Sequence, residues 1–108
     1  MIINEDFTNL EDFQRVCFTR KELLLLYFNA PFCPPCEDQL KILQQLDKEA
    51  PLTRIYSINI ENQMFMAECF QIRGVPYIVA MKDKKVVKTF QGMADLEDLM
   101  DCIKQFEV

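Results

Sequence analysis

The segment that most limits the architecture open to this chain is Leu23-Leu24-Leu25-Leu26-Tyr27-Phe28, a continuous apolar run held between Lys21-Glu22 and Asn29-Ala30-Pro31. A strand with one wet face alternates apolar and polar residues. An unbroken run has both faces covered, as in the middle of a mostly parallel sheet. The run is far below the ~20 residues that span a bilayer, so it predicts a central, doubly buried strand rather than a membrane segment.

The flanking sequence supplies the layers that would cover it. Thr8-Asn9-Leu10-Glu11 has the form of a capping box, and Leu10, Phe13, Val16 and Cys17 then recur at helical spacing, which predicts a first helix ending near Arg20. From Pro34 onward Leu40, Ile42, Leu43 and Leu46 form a stripe with charged residues opposite, and Pro51 marks the stop. Residues 53–60 read as a second buried strand and residues 63–70 as a short apolar helix. Gly74 and Pro76 break the chain before residues 77–81, and Lys82-Asp83-Lys84-Lys85 turns that strand back into residues 86–91 without the favoured Asn-Gly pair. Gly92 ends the hairpin, and Asp95 opens a last helix whose apolar face is Leu96, Leu99, Met100, Ile103 and Phe106. Ile2-Ile3 offers a short initial strand. With 108 residues, half of them apolar, the chain is long enough for one core and too short for two ordinary domains of ~100 residues each. Residues 1–108 are therefore read as a single domain.

Charge and composition narrow the chemistry. Lys and Arg number 12 against 17 Asp and Glu, a formal charge of −5, which disfavours non-specific nucleic-acid binding. The N-terminal Met1-Ile2-Ile3-Asn4-Glu5-Asp6 is acidic where a signal peptide is basic, so neither export nor a membrane association is expected. Five cysteines, Cys17, Cys33, Cys36, Cys69 and Cys102, are odd in number and lack a framework spacing beyond one close pair. That pattern fits a reducing, cytoplasmic location better than a stapled secreted domain. With no histidine in the sequence, Cys–His nucleophilic pairs, imidazole acid–base catalysis and mixed Cys/His zinc sites are all removed.

Cys33-Pro34-Pro35-Cys36 carries what chemistry remains. Two cysteines separated by two residues at a helix start close a small disulfide without moving the rest of a fold. The first sits among free N–H groups at the positive end of the helix dipole, which lowers its thiol pKa from ~8.5 toward roughly 7. Cys33 is accordingly the attacking thiolate, and Cys36, deeper and closer to packing atoms, the resolving thiol. Pro34 and Pro35 lack N–H groups, leaving the amides of Cys36 and Glu37 as the nearest donors to the Cys33 sulfur. The two fixed φ angles meanwhile stiffen the ring and favour its closure. Glu37 and Asp38 place negative charge nearby, which raises the thiol pKa. The net sign of the redox shift stays open. A metal site would need four ligands, and no second Cys pair or histidine supplies them, so no metal is expected unless two chains share a zinc. Cys17 lies on the apolar stripe of its helix and reads as core. Cys69 and Cys102 lie off the best apolar faces and read as surface thiols.

Phe28-Asn29-Ala30-Pro31-Phe32-Cys33-Pro34-Pro35-Cys36 resembles the strand-to-active-site segment of the thioredoxin family, including protein disulfide isomerase domains, and Ile72-Arg73-Gly74-Val75-Pro76 resembles its second marker. With Gly92 and the closing helix, the similarity spans essentially the whole chain. The resemblance implies an α/β fold with a central four-to-five-stranded mixed sheet flanked by about four helices. It implies that Pro76 is cis and faces the dithiol, and that Val75 offers its backbone to an extended substrate by strand addition, with Phe32, Pro76 and Gly92 also lining the substrate site. It further implies protein disulfides as substrates, no organic cofactor beyond the Cys33–Cys36 dithiol, and a flavoprotein similar to thioredoxin reductase as a recycling partner. A monomer is expected. Three departures stand out: Phe32 replaces the family's usual Trp, Tyr27 occupies the place of its buried carboxylate, and Ser57 the place of that carboxylate's lysine partner. The usual proton acceptor for the resolving thiol is thus missing, and Tyr27, Glu37 or water must substitute. The reading is a thiol–disulfide oxidoreductase, of the reductase kind. Its alternatives are a disulfide oxidant or isomerase, and a redox-inactive binding module that uses the groove beside Pro76.

Overall fold

The computed structural model describes residues 1–19 and 21–107. Its elements, in chain order, are β1 (Ile2–Ile3), α1 (Leu10–Cys17), β2 (Leu24–Asn29), α2 (Pro34–Glu49), β3 (Arg54–Asn59), α3 (Met64–Cys69), β4 (Tyr77–Lys82), β5 (Lys85–Gln91) and α4 (Leu96–Phe106). The strands form one sheet in the order β1-β3-β2-β4-β5. β2 pairs parallel with β3, Tyr27 lying opposite Ser57, and antiparallel with β4, Tyr27 lying opposite Ile78. The sheet is therefore mixed, and β2 is its central strand.

The apolar run sorts by the two-residue period of a strand into two cores. Leu25 and Tyr27 point to one face, where they join Ile55, Ile78 and Ala80 beneath Leu43 and Leu46 of α2 and Leu99 and Ile103 of α4. Leu24, Leu26 and Phe28 point to the other, packing with Tyr56, Ile58 and Val79 against Phe13 of α1 and Met66 of α3. Leu25, Leu26 and Phe28 have no exposed surface. Truncating any of them to Ala would cost about 2–5 kcal/mol.

Local detail departs from the sequence reading in two places. The N-cap of α1 is Asn9 rather than Thr8. Asn9 Oδ1 accepts from the N–H of Asp12 at 2.8 Å, and Asp12 Oδ2 accepts from the N–H of Thr8 at 3.0 Å. Half of the capping box is present, one residue later than expected: the N-cap side chain takes the Asp12 N–H, while the Asp12 carboxylate reaches past Asn9 to the N–H of Thr8. The helix stops at Cys17, and the expected end at Arg20 lies outside the described residues. The hairpin turns at residues 82–85 as expected: Asp83 and Lys84 both adopt positive φ, 51° and 71°, between the paired Lys82 and Lys85. This two-residue turn matches the twist of the strands, so the backbone requirement of the tight turn is met without Asn-Gly. Cys102 is the second departure: it is buried, 1 % exposed, within the α2–α4 core. Positions 99, 102, 103 and 106 share one helical face, and a thiol packs there as a small apolar group. Burial pushes the Cys102 thiol pKa up, although Lys88 lowers it in part. Cys17 is buried as expected, and Cys69 is exposed.

Candidate active site

The buried strand β2 runs directly into the loop that precedes α2, so the dithiol is anchored by the best-packed element of the sheet. Phe32 turns the chain with φ 56°, a left-handed conformation that is uncommon for a bulky residue. Its ring is fully exposed, at 101 %. Cys33 follows as the N-cap of α2, in extended conformation, with Pro34 and Pro35 at the first helical positions. Proline is well placed there, since those N–H groups have no intrahelical partner and the fixed φ suits the helix. Cys33 and Cys36 are joined in a disulfide, their Cα atoms 5.2 Å apart. Cys33 is partly exposed, whereas Cys36 is 4 % exposed.

The two amides left by the prolines divide their work. The N–H of Cys36 donates to Cys33 Sγ at 3.2 Å, and also approaches the Cys33 carbonyl at 3.0 Å. The N–H of Glu37 donates to the Cys33 carbonyl at 3.2 Å. Of the two donors expected for the sulfur, one reaches it.

Beneath the dithiol, Tyr27 is 2 % exposed and its hydroxyl donates to the carbonyl of Cys36 at 2.5 Å. Burial pushes the phenol up from 10.0 to about 12. A phenol with that pKa, whose proton is already given to a backbone carbonyl, is no base at neutral pH. The Tyr27 hydroxyl therefore anchors the first turn of α2, and it drops out as a proton acceptor for Cys36. The side of the sheet next to it carries a group the sequence reading missed. Asn29 Nδ2 donates to Ser57 Oγ at 3.0 Å and to the Tyr27 carbonyl at 3.2 Å, so the cross-strand position opposite Tyr27 is neutral and hydrogen-bonded. A cleft of about 320 Å³ opens here, lined by Tyr27, Asn29, Cys36, Glu37, Gln44 and Ser57 among others. The clue in the sequence was the position of Asn29, two residues beyond Tyr27 and therefore on the same face of β2.

The second segment of the site is Val75-Pro76. Their peptide bond is cis, Pro76 is buried, and Val75 is partly exposed. The Pro76 carbonyl accepts from the N–H of Gly92 at 3.0 Å. Gly92 has φ 79°, the left-handed region where glycine carries no Cβ penalty. The structure thus joins Pro76 to Gly92 directly, and it joins Cys33 to Cys36 and Cys36 to Tyr27. Phe32, next to Cys33 in the chain, stands apart from these as a fully exposed ring. Among the described residues no group of three or more His, Cys, Asp or Glu could hold a metal ion, and no helix is long and apolar enough to cross a membrane.

Comparison with known proteins decides what this arrangement belongs to. The family model described as Thioredoxin matches residues 5–105. The chain belongs to the thioredoxin family. Among curated relatives, the thioredoxin of Chlamydia pneumoniae is 32 % identical over 88 residues, covering 82 % of this chain and 86 % of that protein. The thioredoxin of Haemophilus influenzae is 30 % identical over 98 residues, covering 90 % and 92 %. Among solved structures, a mutant thioredoxin from Halobacterium salinarum NRC-1 superposes with a TM-score of 0.81 at 20 % identity, covering 100 % of this chain and 90 % of that one. Fasciola hepatica thioredoxin gives 0.81 at 23 %, covering 93 % and 96 %. These structures establish the mixed five-stranded sheet with four helices as a thioredoxin-like fold. Membership of the thioredoxin family carries thiol–disulfide oxidoreductase chemistry in general, and the bonded Cys33–Cys36 pair is where this chain has the means for it.

Proposed function

We propose that the chain is a protein-disulfide reductase, with Cys33 as nucleophile and Cys36 as resolving thiol. The Cys33 thiolate attacks one sulfur of a substrate disulfide, forming a mixed disulfide and releasing the other substrate sulfur as a thiolate. Cys36, as its thiolate, then attacks Cys33 Sγ, closing the Cys33–Cys36 disulfide and releasing the second substrate thiol. Two electrons have passed to the substrate. The oxidised domain, the state in which Cys33 and Cys36 are joined, returns to the dithiol by accepting two electrons from a flavoprotein of the thioredoxin-reductase class. No organic cofactor is needed in the domain itself. An extended substrate lies along Val75-Pro76 and Gly92, with the bare ring of Phe32 as its apolar contact. The cycle runs in a reducing cytoplasm on a monomer.

The observation that favours reduction over oxidation is the single amide at the Cys33 sulfur. A strong oxidant has its reduced form stabilised, which requires a well-solvated thiolate. Pro34 and Pro35 give no N–H, and Glu37 N–H is spent on the Cys33 carbonyl. The thiolate is stabilised weakly, so the dithiol gives up its electrons readily. The proton of Cys36 leaves through the cleft beside it, to water or to the Glu37 carboxylate that lines the same cleft, since Tyr27 is committed elsewhere. The expected consequence is slow resolution of the mixed disulfide.

The test is trapping. Cys36→Ser incubated with a disulfide-containing protein accumulates a covalent adduct at Cys33 that dithiothreitol releases, whereas Cys33→Ser forms none. Adducts formed equally by both variants, or by neither, would remove Cys33 from its role.

A further inference from the structure

Gln39 is a polar residue on α2, one turn beyond Cys36, and it has no exposed surface at all. An amide is buried at a cost unless both of its ends find partners. Here both do, on one residue: Gln39 Nε2 donates to the Ala94 carbonyl at 3.0 Å, and Gln39 Oε1 accepts from the Ala94 N–H at 2.7 Å. Ala94 lies just before the N-cap of α4 and is itself 4 % exposed. Two residues earlier, Gly92 N–H is held by the Pro76 carbonyl at 3.0 Å. The short stretch Gly92-Met93-Ala94 is therefore pinned at both ends, at one to Pro76 and at the other to the helix that carries the dithiol. Met93 stands between the pins with 47 % of its surface exposed.

We infer that Gln39 is a positioning residue for thiol exchange: its carboxamide clamps Ala94 to the dithiol helix and so fixes how Gly92 and Met93 meet a substrate chain. A leucine of similar volume would fill the same space and leave α4 packed, yet it would free the Ala94 peptide to shift and rotate. Two complementary bonds to a single residue's backbone fix both its distance and its orientation, which one apolar contact does not. The clamp acts on the part of a substrate that lies beyond its sulfurs. It matters for an extended chain and is indifferent to a small disulfide that touches only Cys33.

This inference rests on the exchange chemistry proposed above, and the experiment separates the two. Wild type and Gln39→Met, which keeps the side chain's length and removes both bonds, are compared by the second-order rate of reduction of a disulfide-containing peptide and of hydroxyethyl disulfide. The expected result is a loss of about tenfold with the peptide, an unchanged rate with hydroxyethyl disulfide, and faster hydrogen exchange at the Ala94 amide. Gln39→Leu, which fills the same space and likewise removes both bonds, is expected to give the same pattern and serves if Gln39→Met does not fold. Equal losses with both disulfides would mean a disturbed dithiol helix and overturn the inference, as would no loss with either. A wild type that reduces neither disulfide overturns the exchange chemistry itself, and the positioning role with it.

Discussion

Replacing Tyr27 by Phe removes one hydroxyl and nothing else, and the structure gives the result a pH signature. At neutral pH the variant loses a buried hydrogen bond to the Cys36 carbonyl, a net change of about 1 kcal/mol. With an unfolding entropy of roughly 2.1 cal/mol/K per residue, that lowers Tm by about 4 °C. The folded wild type holds the phenol near 12, against 10.0 for the free group. A raised folded-state pKa contributes stability that is complete below the unfolded value and disappears as pH climbs toward the folded one. Linkage puts the loss at about 1.4 kcal/mol by pH 11. The variant has no such group, so its deficit shrinks above pH 10 and reverses at about pH 10.5–11. Urea unfolding of both disulfide-bonded proteins at a series of pH values, with Cys17, Cys69 and Cys102 replaced by Ala in each so that no free thiol reshuffles the Cys33–Cys36 bond, reads the difference directly. All other titrations are shared and cancel. A deficit that stays constant from pH 7 to 11, or that is absent at pH 7, would refute the assignment of Tyr27 as a buried neutral donor.

Three further substitutions separate causes that lie close together. Gly92→Ala costs about 1–2 kcal/mol because φ is 79° there, although a Cβ would meet nothing within 4 Å, whereas Gly74→Ala, with equal space and no positive φ, is neutral or gains a few tenths; paired thermal melts decide both. Tyr27→Asp places a carboxylate beneath Cys36 and is expected to speed release of the mixed disulfide several-fold while lowering stability, measured by quenched-flow decay of a preformed adduct and by urea melts. An unchanged release rate would show that proton removal from Cys36 is not what limits resolution.

Much of the fold was legible because its strongest signals are local and periodic. The run Leu23 to Phe28 could not be half wet, and it became the central strand with its side chains dealt alternately to the two cores. Pro34 and Pro35 announced a helix start, and α2 begins at Pro34. What escaped the reading depends on partners distant in sequence. Gln39 looks like any polar helix residue until Ala94, 55 positions away, is brought to its amide. Asn29 acquires its role only when Ser57 of the neighbouring strand reaches it. Cys102 was misplaced because it lies beside the Leu96, Leu99 and Ile103 stripe rather than on it, and only the packing of α2 against α4 widens the buried face to reach it. The second donor expected for the Cys33 sulfur was lost to competition, since the Cys33 carbonyl takes the Glu37 N–H.

The most direct test of the account is the equilibrium potential of the Cys33–Cys36 couple, titrated against glutathione redox buffers and read by thiol trapping, with Cys33→Ala as control. A weakly stabilised thiolate beside two prolines predicts reversible titration near roughly −270 mV or lower, the range of reductants. A couple at roughly −180 to −120 mV would make the domain an oxidant or isomerase. A pair that never cycles would leave only a binding module in the thioredoxin fold.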